Sequence, residues 1–140
     1  MNVVLDTNVL VSGLKTRGGT CARVLDLVVE GRLTLCVDER ILDEYERVCR
    51  DPRLKLDLLF VRTVLDFCRT TAEPIVAQPL AAVLPDPDDR PFLELASQAP
   101  AILITGNRKH YPARVCGGMR VFSPAEFIES LRGYGHLHER

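Results

Sequence analysis

Asn2-Val3-Val4-Leu5-Asp6-Thr7-Asn8 decides the fold, because a short continuous apolar run stops abruptly at an acid and two further polar residues. A run this short reads as a strand of the core rather than as a helix. Working outward, Cys21 to Glu30 carries apolar residues at helical intervals, and Leu33-Thr34-Leu35-Cys36-Val37 reads as a second strand. Two helical patterns follow, Glu39 to Cys49 and Leu54 to Thr70, separated by the breaker Asp51-Pro52. Ile75-Val76 is a weak third strand, and the proline-bounded stretch Gln78 to Pro87 is a loop. A helix from Asp88 to Ser97, a strand Ala101 to Ile104, an irregular turn, a strand Arg120 to Phe122 and a helix Pro124 to Leu131 complete the pattern.

Strands alternating with helices define an α/β chain with a parallel sheet, helices on both faces and right-handed crossovers. Ligands in such sheets bind at the carboxyl ends of the strands, where strand order reverses. Asp6 follows the first strand and Thr105-Gly106-Asn107 the fourth, so both fall on that edge. At 140 residues the chain is expected to form a single domain over residues 1–132, with 133–140 as a flexible C-terminal tail.

The net charge of -1 offers no general basic coat for nucleic acid, so any phosphate binding must come from a local patch or from metal. The five cysteines are scattered without a C-x-x-C pair, which fits reduced, buried thiols and a cytoplasmic location better than zinc or disulfides. No charged leader precedes a long apolar stretch, and no run approaches a membrane span of roughly 20 residues.

Helical geometry sorts the acids. Glu44 lies on one stripe with Ile41, Tyr45 and Val48, whereas Asp43 and Glu46 point elsewhere. Asp89 extends the stripe of Phe92, Leu93 and Ala96 into the first turn of its helix, and Asp88 falls to the side. A carboxylate on a core-facing stripe costs free energy unless it is paired or coordinated. One of Asp86, Asp88 and Asp89 serves as a helix cap, but three acids within four residues exceed that need. Asp6 alone could simply close an Asx turn, and Asn8 and Ser12 could be ordinary loop or helix-start residues.

Together these motifs resemble a known family. Val4-Leu5-Asp6-Thr7-Asn8-Val9-Leu10-Val11-Ser12, Ile41-Leu42-Asp43-Glu44-Tyr45-Glu46-Arg47-Val48, Asp86-Pro87-Asp88-Asp89-Arg90-Pro91-Phe92-Leu93-Glu94-Leu95-Ala96 and Ile104-Thr105-Gly106-Asn107-Arg108-Lys109-His110-Tyr111-Pro112 are similar to PIN-domain nucleases. The resemblance is strongest to the VapC-like ribonuclease toxins of toxin–antitoxin systems.

The resemblance implies a three-layer α/β/α sandwich around a parallel central sheet of about four or five strands. It implies Asp6, Glu44 and Asp89 as catalytic, metal-binding acids and Asp86 as a further metal ligand. Thr7, Asn8, Ser12, Thr105 and Asn107 would orient water or phosphate. The family's fourth acid is replaced here by Asn107, which offers a carbonyl oxygen but cannot act as a base.

The implied activity is hydrolysis of RNA phosphodiesters, leaving a 5′-phosphate, with one or two Mg2+ or Mn2+ ions. Lys15, Arg17, Arg108, Lys109 and His110 flank the site in sequence and are candidate substrate contacts. His110 could act as a general acid or be a hydrogen-bonded turn residue. The implied partners are a small antitoxin and a second copy of the chain. The alternative is a weakly active or inactive PIN module that binds RNA or a protein, motivated by Asn107. A haloacid-dehalogenase-type phosphatase requires an aspartate where Asn8 stands.

Overall fold

The computed structural model describes residues 1–81 and 83–132; the tail expected at 133–140 lies outside the described residues. The elements run β1 (Asn2–Leu5), α1 (Thr7–Lys15), α2 (Thr20–Val29), β2 (Thr34–Val37), α3 (Glu39–Cys49), α4 (Leu58–Thr71), β3 (Glu73–Pro74), α5 (Arg90–Gln98), β4 (Ile102–Ile104), α6 (Ala113–Cys116), β5 (Val121–Phe122) and α7 (Pro124–Arg132). Short 3-10 turns occupy Pro52–Leu54, Pro87–Asp89 and Arg108–His110.

The five strands form one parallel sheet in the order β3-β2-β1-β4-β5. Central β1 is fully enclosed at Val3, Val4 and Leu5, as a strand covered by helices on both faces must be. It pairs in register with β4, Val3 opposite Ile102 and Leu5 opposite Ile104. The chain grows from β1 to β2 and β3 in one direction and restarts at β4 on the other side. The crevice at the carboxyl ends of β1 and β4 is therefore the switch point at which such sheets place ligands.

Three local departures from the sequence reading have physical causes. Helix α1 begins immediately after Asp6, because Val9, Leu10, Gly13 and Leu14 form a buried stripe against α2. A β-carbon on Gly13 would sit 2.6 Å from Leu25 Cδ1, so this glycine sets the closeness of the two helices. Strand β3 is Glu73–Pro74 rather than Ile75-Val76; the chain leaves α4 already extended at Ala72 and pairs at once with Cys36 and Val37. Ile75 then donates its N–H to the Val37 carbonyl at 3.0 Å. Proline is tolerated there because β3 is an edge strand. The helical pattern from Leu54 is broken by Lys55, whose φ of 54° ends the 3-10 turn, and α4 starts where the Asp57 carboxylate caps Leu59 and Phe60.

A bridge of side chains joins the helices that carry the acids. The Arg40 guanidinium donates to Asp38 at 2.8 Å and to Glu94 at 2.7 Å. Asp38 caps α3 through Ile41 N–H, and buried Glu94 of α5 also accepts the Leu80 N–H at 2.9 Å. Tyr45 anchors α3 to β1 by donating its hydroxyl to the Leu5 carbonyl at 2.6 Å. No helix among the described residues is long and apolar enough to cross a membrane.

Candidate metal centre

Asp6 stands where β1 ends and α1 begins, but its side chain does not cap the helix. Its carboxylate instead accepts the Thr105 hydroxyl at 2.8 Å and the Tyr111 hydroxyl at 3.1 Å. Only 5 % of the residue is exposed, and burial raises its pKa; the two hydroxyls oppose that shift. Thr105 is positioned from β4 beside β1, and its hydroxyl also accepts the Asn107 N–H at 3.0 Å. Asn8 turns back to the same edge and accepts the Gly106 N–H at 3.0 Å. A β-carbon on Gly106 would lie 3.1 Å from that Asn8 oxygen, so a side chain would press on the contact.

Glu44 projects from α3 and accepts the hydroxyl of Thr7. Its side chain is 25 % exposed, less deeply sunk than the buried stripe of Ile41, Tyr45 and Cys49, and Arg47 lies 3.8 Å from its other oxygen. The helix thus presents Glu44 at the rim of the core.

Asp86 caps the Pro87–Asp89 turn by accepting the Asp88 N–H at 3.0 Å, which satisfies the capping requirement of that segment. Asp88 is exposed, whereas Asp89 is only 8 % exposed and caps nothing. Asp89 Oδ2 is enclosed by protein without a well-formed hydrogen bond, although His110 Nδ1 approaches it to 2.8 Å. Burial, and then the charges of Asp6 and Asp86, push the Asp89 pKa up to about 6, with His110 opposing them. The ligand atoms of Asp86, Asp89 and His110 all lie within 4.8 Å of one another.

This arrangement fits a divalent cation. A buried carboxylate beside two further acids, approached among the described residues by the His110 imidazole and the Tyr111 hydroxyl, is stabilised by a positive charge that accepts oxygen ligands. The donor set is hard oxygen with one imidazole.

The remaining residues read from the sequence separate. Arg17 is engaged elsewhere, donating to Asp26 at 2.8 Å and to the Gly13 carbonyl at 3.0 Å, with its guanidinium 5.6 Å from the centre of the Phe60 ring. Arg108 pairs with Glu126 at 3.0 Å. Lys15, Lys109 and Ser12 are exposed. Tyr111 was not among the sequence candidates. Its only signal was a hydroxyl-bearing aromatic in the polar stretch after β4, and spacing alone could not show that the turn folds back onto Asp6.

The PIN domain family model matches residues 2–109. The chain therefore belongs to the PIN-domain family, whose members are in general nucleases. Over 145 aligned residues it is 28% identical to the uncharacterized protein MJ1680 of Methanocaldococcus jannaschii, covering 96% of this chain and 94% of that protein. Its fold resembles VapBC2 from Rickettsia felis, whose crystal structure holds a DNA fragment from their promoter. The TM-score is 0.55, with 17% identity over 88% of this chain and 98% of that one. A domain of a functionally unknown protein from Methanocaldococcus jannaschii matches with a TM-score of 0.53 and 18% identity, over 87% of this chain and 89% of that one.

Proposed function

We propose that the chain is a metal-dependent endoribonuclease that hydrolyses RNA phosphodiester bonds and acts as the toxin of a toxin–antitoxin pair. The observation that carries this reading is the enclosed Asp89 carboxylate beside Asp6 and Asp86, a cluster of three acids faced, among the described residues, by the single imidazole of His110. Asp6, Glu44, Asp86 and Asp89 would hold one or two Mg2+ or Mn2+ ions. When bound, such an ion neutralises phosphate and lowers the pKa of water.

The chain's own groups have separable tasks. Thr105 and Tyr111 fix the rotamer of Asp6, and Thr7 holds Glu44 from across the helix boundary. Asn8 keeps the Gly106 backbone close to β1, leaving the strand ends open to a phosphodiester. Lys109 and Lys15, being exposed near those ends in sequence, are proposed phosphate contacts, while the ion pairs of Arg17 and Arg108 set them a higher desolvation cost.

The choice of RNA rests on the VapC-like resemblance. A protein partner is supported by the fold likeness to the Rickettsia felis complex and by the apolar start of α4, where Leu59 is 75% exposed beside Leu58 and Phe60. Homodimerisation, a cytoplasmic location and a domain comprising residues 1–132 belong to the same proposal.

The second reading, a weakly active module that binds RNA or a protein, draws on Asn107, which supplies no carboxylate. Incubation of single-stranded RNAs with Mn2+ separates the two. The nuclease reading expects 5′-phosphate products that vanish with chelator and fall at least roughly 10²–10³-fold in Asp6→Asn, the loss typical of a key charge-stabilising group. RNA that is bound yet left intact by both proteins across a broad panel would favour the second reading.

A further inference from the structure

We propose that His110 is itself a ligand of the metal through Nδ1, occupying the corner that Asn107 leaves without a carboxylate, and that Asn107 orients the imidazole. The inference rests on the metal-nuclease reading above and adds to it a nitrogen donor and a preference among metals.

Three observations converge on His110. Its Nδ1 shares a compact set of ligand atoms with Asp86 and Asp89, all within 4.8 Å of one another. That nitrogen faces Asp89 Oδ2 at 2.8 Å, and the oxygen is enclosed without a well-formed hydrogen bond. The opposite ring nitrogen, Nε2, lies 2.9 Å from the Asn107 side-chain amide nitrogen. The 3-10 turn fixes this geometry, because the His110 N–H donates to the Asn107 carbonyl at 3.1 Å.

The chemistry of imidazole ligation then assigns Asn107 a task. A metal-binding histidine must carry its proton on the other nitrogen and donate it to an oxygen, which fixes tautomer and ring orientation. A half-turn of the Asn107 amide presents Oδ1 to Nε2–H at the same position, an exchange that leaves the heavy-atom geometry unchanged. Asn107 is thereby retained in the site as the orienting group rather than as a weakened ligand.

Replacing a carboxylate by neutral imidazole also changes the metal preference. Mg2+ and Mn2+ both accept carboxylate oxygens, but a nitrogen donor is taken more readily by the transition ion Mn2+ than by the harder Mg2+. The site accordingly selects Mn2+ over Mg2+. The competing account is a plain ion pair, in which protonated His110 balances Asp89 and withdraws when a metal enters.

Pulsed electron paramagnetic resonance of Mn2+ bound to the full chain decides between them, with Mn2+ and Mg2+ affinities measured alongside. Wild type is expected to show nitrogen hyperfine coupling that His110→Gln removes, with the Mn2+ affinity falling more than the Mg2+ affinity. Asn107→Ala is expected to weaken Mn2+ binding by about 10–100-fold, the range for loss of an orienting partner. His136 and His138 are present in every variant and cannot account for a signal that His110→Gln removes. His110 has a side chain 36% exposed, so its replacement leaves the core intact, and circular dichroism verifies the fold. Mn2+ bound by wild type without nitrogen coupling, or with equal affinity in His110→Gln, overturns the inference and leaves the nuclease reading standing. Failure of wild type to bind either ion overturns both.

Discussion

Asp89 is where burial and charge conflict most directly. Unfolded, its carboxyl titrates at the ordinary value of 3.8; folded, burial and the neighbouring acids raise it to about 6. Between those values the folded chain binds the proton more tightly than the unfolded chain. Metal-free stability should therefore fall as pH rises from about 4 to about 6. Urea melts of the chelated protein at pH 5 and pH 7 should show this fall, and Asp89→Asn should reduce it while raising stability at pH 7. An equal pH dependence in the two proteins would mean that the Asp89 charge is not a source of strain. The burial of Asp6 and Asp89 was legible because strand ends and helical stripes are periodic features, whereas Glu44 lies at the rim of its stripe rather than within it. The roles of Thr105 and Tyr111 were not, since hydroxyls reaching Asp6 from residues 99 and 105 positions away leave no local pattern.

Among the elements, α1 and the loop before α5 set the site's shape. Helix α1 escaped the sequence reading because Val9-Leu10-Val11 is a second short continuous apolar run, three polar residues after β1, in which neither period dominates. Its contact with α2 depends on Gly13, whose hypothetical β-carbon would lie 2.6 Å from Leu25 Cδ1 and 3.0 Å from the Cys21 carbonyl. Gly13→Ala should cost about 1–3 kcal/mol in chemical denaturation, the usual price of overpacking. The loop before α5 is tied by Glu94, which links Arg40 of α3 to the Leu80 N–H. Glu94→Ala leaves that part-buried N–H without its acceptor and frees the exposed Arg40, and should cost about 1–3 kcal/mol. Retention of wild-type stability in Glu94→Ala would show that the bridge contributes nothing to the folded state. Glu94 was overlooked because it sits between apolar neighbours on α5, where an isolated acid gives no sign of a partner 54 residues earlier.

At the scale of the whole molecule, strand alternation was enough to foresee a parallel sheet covered on both faces. It also put Asp6 and Thr105 at the carboxyl edge, where the structure joins them by a hydrogen bond. The short edge strand was displaced because a two-residue pairing carries too few side chains to show alternation, and the exit of the chain from α4 decided it. The fold accordingly brings Asp6, at the end of β1, beside Asp86 and Asp89 of the turn before α5, and bound metal should stabilise the whole domain by mass action. At a metal concentration of about 100 times the dissociation constant the gain is about 2.7 kcal/mol, or roughly 6–12 °C in melting temperature for a chain of this size. The most direct measurement is the melting temperature of the chelator-treated protein at pH 7.5 as Mn2+ is added, for wild type and Asp89→Asn. The account predicts a saturable rise in wild type that is absent or strongly reduced in Asp89→Asn; a flat wild-type curve, or the same rise in both proteins, would contradict it.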